Sequence, residues 1–80
     1  MPAPQTLADW PLGQAATVVA LSPDGGFAAR MGQLGVRPGM TVTPMLRTPG
    51  RGIVVSAGEL RLALDRGSAK RVVVAEGSVG

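Results

Sequence analysis

The sequence predicts a mainly β chain: a small, five-stranded, partly open barrel with one short α-helix after the first strand. Three observations predict it. Short runs of Val, Leu, Ile and Ala recur along the 80 residues. The 12 glycines and 7 prolines are dispersed between those runs, and breakers so placed mark turns rather than long helices. One stretch alone, between Asp24 and Leu34, changes to a helical period. Five short strands in so small a chain cannot stack as two separate sheets, so a barrel buries their apolar faces best.

The elements follow in order. Residues 1–5 carry two prolines and nothing that anchors them, and read as a flexible tail. Leu7, Trp10 and Leu12 can pin the next segment onto the barrel before Pro11 and Gly13 punctuate it. Gln14 to Leu21 is rich in small and β-branched residues and reads as a strand buried on both faces. Ser22 or Asp24 can cap a helix from Asp24 to Leu34, with Phe27, Met31 and Leu34 on one stripe. Gly35 falls where a left-handed C′ residue belongs, Val36 can pack back on the last turn, and Pro38 prevents continuation.

Strands follow over Met40 to Arg47 and Ile53 to Ala57, with Pro44 marking an edge or a bulge in the first. In Leu60 to Asp65 the leucines alternate inward while Arg61 and Asp65 face water. Arg66 to Lys70 forms one helical turn, and Arg71 to Glu76 closes the sheet. One domain over 6–76 and a frayed end at 77–80 complete the expected organisation.

The side-chain inventory narrows the chemistry. With no His and no Cys, the common ligands of zinc, ferrous iron and copper are absent, and no cofactor is expected. The carboxylates Asp9, Asp24, Glu59, Asp65 and Glu76 are scattered, whereas a hard-cation site needs several to converge. Ser22, Ser56, Ser68 and Ser78 have no histidine partner, so nucleophilic catalysis lacks its base and the chain reads as non-enzymatic. Gly50-Arg51-Gly52 is a turn, with no Gly-Lys-Ser/Thr after it to make a phosphate loop. No basic and apolar leader or 20-residue apolar span is present, so a soluble cytoplasmic chain without membrane insertion is expected. A formal net charge of +3 permits an anionic partner surface. Only Trp10 and Phe27 could stack on bases, however, and nucleic acid is not the expected partner.

The stretch Arg30-Met31-Gly32-Gln33-Leu34-Gly35-Val36-Arg37-Pro38-Gly39-Met40-Thr41-Val42 resembles the central motif of the FeoA family. An arginine and an apolar residue lie on a short helix, followed by Leu-Gly-apolar and then Pro-Gly before a strand. Leu7-Ala8-Asp9-Trp10-Pro11-Leu12-Gly13 is similar to the family's opening, and Leu62-Ala63-Leu64 with Ala69 to Val74 to its closing pattern. The resemblance covers roughly residues 6 to 75. Leu34, Gly35, Pro38 and Gly39 carry its structural motif.

The resemblance implies an SH3-like barrel without catalytic residues. It implies an accessory role in bacterial ferrous-iron uptake beside the FeoB transporter, through that protein's cytoplasmic G-domain or membrane-proximal face. On that reading Val36, Met45, Arg47 and Arg51 are candidate contact residues, as apolar residues and arginines in exposed turns make anchors. Barrel packing is the alternative for Val36 and Met45, and a solvated basic turn for Arg47 and Arg51. Exposed strand edges make a homo-oligomer an open expectation. The rival readings are a stand-alone module related to the C-terminal domain of iron-dependent repressors, a small RNA-binding barrel, and a proline-rich-peptide reader. The last needs several exposed aromatics.

Overall fold

The computed structural model describes residues 5–76. Its elements are β1 (Gln5–Thr6), β2 (Ala16–Leu21), α1 (Phe27–Gln33), β3 (Thr41–Arg47), β4 (Ile53–Ala57), β5 (Leu60–Leu64), α2 (Arg66–Ala69) and β6 (Val72–Glu76). All strand pairs are antiparallel, in the order β1-β6-β2-β3-β4-β5. The mainly β barrel with one helix after its first long strand is therefore present, with a sixth, two-residue strand added. Gln5, expected in the tail, instead pairs with Val74. The remaining tail residues and the end at 77–80 lie outside the described residues.

β3 is the corner of the barrel. Its start pairs with β2 through Ala16–Val42 and Thr17–Thr41, and its later residues pair with β4. The ladder shifts between Pro44 and Leu46. Proline cannot donate to a ladder, so a bulge is where a sheet tolerates it. The Pro44 carbonyl accepts from the Gly13 N–H at 2.8 Å, which docks the approach to β2 onto this corner.

The helix starts later than its period suggests. Gly25 and Gly26 have φ of 60° and 72°, a left-handed pair that no helix continues through, so α1 begins at Phe27. Ser22 Oγ accepts from the Asp24 N–H rather than capping α1. The helix ends as expected. Gly35, at φ 96°, donates to the Gly32 carbonyl at 3.0 Å, and Val36 donates to the Met31 carbonyl at 2.8 Å. These are the two bonds of a Schellman motif, and Val36 and Met31 are both buried beside it. Met40 then donates to Arg37 across Pro38-Gly39, with Gly39 at φ 95°. Proline followed by a left-handed glycine makes a type II turn. Its Gly39 N–H reaches the Val18 carbonyl at 2.7 Å, and the Val18 N–H reaches the Met40 carbonyl at 2.9 Å.

Phe27, Met31, Val18, Val42, Ile53, Val55, Leu64, Val72 and Val74 form most of the hydrophobic core. Arg71 lies over the Phe27 ring at 5.8 Å, close enough for a cation–π contact. Three inward placements differ from the sequence pattern. β2 is half-buried rather than buried on both faces: with Ala16 and Val18 inward, alternation puts Val19 outward, and after the register shift between Val18 and Ala20 it is Leu21, not Ala20, that packs against the core. Leu34 stays 47% exposed, one residue past the helix. Leu60 is 45% exposed; its Cδ2 lies 3.5 Å from where a side chain on Gly35 would begin, so it covers the cap and not the core. Asp65 is the N-cap of α2, accepting from the Ser68 N–H at 2.7 Å. The hydrogen bonds from Ser68 hold its carboxyl below the ordinary value.

Two expected outcomes follow for urea melts. Leu64→Ala should lose about 2–5 kcal/mol, while Leu60→Ala should stay within roughly 0.5 kcal/mol. Gly52→Ala should lose about 1–3 kcal/mol, because a Cβ there would sit 2.9 Å from the Leu64 carbonyl oxygen, which is backbone and cannot rotate away. A Gly52→Ala melt that overlays the parent would refute that close approach.

Candidate functional site

β1 runs straight into a 3₁₀ turn over Leu7–Asp9, and Trp10 follows in extended backbone. Leu7, Ala8 and Trp10 are all buried, so this turn plugs the barrel, against β6 and α2. The Trp10 indole N–H donates to the Gln14 carbonyl at 3.0 Å, a partner a buried indole requires. Arg47, at the end of β3, locks the plug from outside. Its Nη1 donates to the Ala8 carbonyl and its Nη2 to the Trp10 carbonyl, each at 3.0 Å. The planar guanidinium fork spans both acceptors at once, which an ammonium cannot do.

The same arginine borders a cleft of about 590 Å³. Ala8 and Asp9 of the plug form one side, and Thr48, Gly50 and Arg51 of the β3–β4 loop form another. Arg66, from the first turn of α2, completes it. The loop is braced: the Thr48 N–H donates to the Gly52 carbonyl at 3.0 Å, and the Arg51 N–H to the Thr48 carbonyl at 3.1 Å. Arg51 sits at φ 67°, the one non-glycine residue with positive φ among the described residues. That conformation costs about 1–3 kcal/mol and needs its surroundings to hold it.

The four expected contact residues separate. Arg47 and Arg51 meet at the cleft. Met45 is 43% exposed on β3, beside Leu46, and outside the cleft lining. Val36 is 1% exposed, so it is a core residue of the helix cap and offers no contact surface. Of the structural motif, Gly35, Pro38 and Gly39 perform the turns just described, while Leu34 stands in solvent. Arg66, Asp9 and Thr48 are cleft residues that the sequence did not single out. They come from three separate segments, and no local spacing joins them.

The arrangement offers anion binding more readily than bond-making. The cleft lining holds three arginines and one acidic residue, Asp9. Among the described residues no group of three His, Cys, Asp or Glu side chains comes together to hold a metal, and no helix is long and apolar enough to cross a membrane. Replacing Arg47 by Met should cost about 1–3 kcal/mol through two lost charge-assisted hydrogen bonds. Emission from Trp10, the one tryptophan, should shift to the red as the plug loosens. Unchanged stability and emission would show that the plug holds without the arginine.

The FeoA domain family model matches residues 5–76. No curated protein matches the chain. Among solved structures, the zinc complex of FeoA from Stenotrophomonas maltophilia, described as a prokaryotic SH3 domain protein, is 33% identical. It superposes with a TM-score of 0.75 over 89% of each chain. A FeoA-like protein from Clostridium acetobutylicum superposes with a TM-score of 0.83, covering 100% of this chain and 94% of that one at 16% identity. A manganese-dependent transcriptional repressor shares the fold, with a TM-score of 0.82 at 19% identity. That match covers 95% of this chain but 43% of the repressor, so nearly all of this chain corresponds to less than half of that protein. A family match from the paired Gln5 to the last residue of β6, over an SH3-like barrel, places this chain in the FeoA family.

Proposed function

We propose that this chain is an accessory protein of bacterial ferrous-iron uptake that works by docking to the cytoplasmic part of a FeoB-type transporter. The family match over residues 5–76 carries the reading. The Stenotrophomonas relative is described as a candidate ferrous-iron transport activating factor, which points the same way. The surface supports docking as the means. Leu12, Leu34, Met45, Leu46 and Leu60 are exposed apolar residues on a small scaffold, and the cleft separately supplies arginines. Methionine and arginine are enriched in protein contact surfaces, and exposed leucines add apolar area that a partner can bury. An RNA-binding role is less well supported, because Trp10 and Phe27 are both buried and leave no stacking platform.

Docking acts through linkage. If the barrel binds one transporter state more tightly than another, it shifts their populations by that difference in affinity. The shared fold with the manganese-dependent repressor, over 43% of that protein, supports a second reading, a stand-alone interaction module related to the C-terminal domain of iron-dependent repressors.

The test is binding of the purified chain to full-length transporter from the same cell, and to its isolated G-domain, with and without guanine nucleotide. Saturable binding to the transporter is expected, and none to a short RNA. A dependence on nucleotide would identify state sensing. Salt-sensitive RNA binding without transporter contact would overturn the proposal.

A further inference from the structure

The cleft beside the plug gathers Arg47, Arg51 and Arg66 against a single carboxylate, Asp9. Among the described residues, neither Arg51 nor Arg66 has an acidic side chain within ion-pair distance. Arg47 is oriented by the Ala8 and Trp10 carbonyls, which take two of its five N–H donors. Arg51 is held at φ 67° by a loop closed through Thr48 and Gly52. A preset guanidinium with spare donors, next to two unpaired ones, is suited to carboxylates, which arginine meets with two parallel hydrogen bonds. Its orientation is already restricted before any partner arrives, which lowers the entropy lost on binding.

We propose that this cleft is the docking site for an acidic segment of the protein partner, with Arg51 and Arg66 taking its carboxylates and Arg47 forming the fixed floor. The proposal rests on the docking reading above and adds the chemistry of what is recognised. Charge complementarity argues for a carboxylate-bearing chain. The aromatic residues are buried, so bases of a nucleic acid would find nothing to stack on.

The test uses the full chain and the double variant Arg51→Glu with Arg66→Glu, which leaves the Arg47 tie intact. Arg30→Glu with Arg37→Glu, on α1 and the turn after it, is the control for net charge. Fluorescein-labelled hexaglutamate, a short single-stranded RNA and the full-length transporter are the probes. Circular dichroism melts confirm that both variants fold. The expected result is salt-dependent hexaglutamate binding that weakens about tenfold or more in the cleft variant, with little change in the control. Transporter binding should weaken in parallel, and hexaglutamate should compete for it.

Failure to bind hexaglutamate at low salt, or equal loss in both variants, would overturn the cleft assignment. So would RNA binding tighter than hexaglutamate binding and equally lost in the cleft variant. Unchanged transporter binding by the cleft variant would overturn the cleft assignment and leave docking standing. Hexaglutamate binding without transporter binding would support the site and sink the docking reading.

Discussion

The hold of Arg47 on the turn after β1 is the contact on which the barrel's closure depends. The chain has one Trp, one Phe and no Tyr, so beyond Trp10 and Phe27 its core is built from aliphatic groups and has little apolar area in reserve. Leu7, Ala8 and Trp10 supply a substantial part of that area, yet they lie on a short segment that enters beside a two-residue strand. A two-residue ladder cannot hold such a segment by itself. The guanidinium fork on the Ala8 and Trp10 carbonyls, and the indole bond to Gln14, add three hydrogen bonds that hold the turn against the barrel. The β3 residue that provides the fork is positioned by pairing with Ile53, so plug, corner strand and β4 are coupled.

The second constraint is how the chain leaves α1 and starts β3. Two glycines with left-handed backbone, Gly35 and Gly39, bracket Val36-Arg37-Pro38, and each turn is closed by backbone bonds. The cap puts Val36 into the core beside Met31, and the type II turn puts Gly39 and Met40 in hydrogen-bond reach of Val18. The helix is only 7 residues long and would be marginal in isolation. It persists because Phe27 and Met31 are buried and because both of its ends are fixed by glycine turns.

Much of this was legible in the sequence. The turns at Gly35 and Pro38-Gly39 are closed by bonds between residues no more than five apart, so the local pattern contains the instruction to turn, although Gly39 also bonds across to Val18. Pro44 at a bulge was legible for the same reason: it lacks an N–H wherever it stands. What local pattern could not show were the features settled by distant neighbours. The bulge after Val18 depends on the register with β6 and leaves Ala20 exposed beside Val19 where alternation would have turned it in. Leu60 and Leu34 fit the periods of strand and helix but overrun the core, so they stay exposed. Val36 read equally as surface or core, and only the Schellman bond to Met31 decides it. The cleft was least legible of all, because Arg47 meets carbonyls 39 and 37 positions earlier in the chain. Topology alone adds Arg66 to Arg47 and Arg51.

That convergence also explains why one loop can be strained without loss of order. Arg51 occupies a left-handed backbone position that glycine would fill more cheaply, directly after Gly50 at φ 81°. The turn is closed at its base by Thr48 and Gly52, and Gly52 is pressed so near Leu64 that no side chain fits. The loop therefore cannot relax by drifting from β5, and the strain is borne by a rigid frame. A glycine at position 51 would relieve the backbone but remove a guanidinium from the cleft. In the FeoA-type barrel described here, the exception to local backbone preference and the arginine cluster coincide at one residue, which is where a binding surface rather than the core would have reason to keep it.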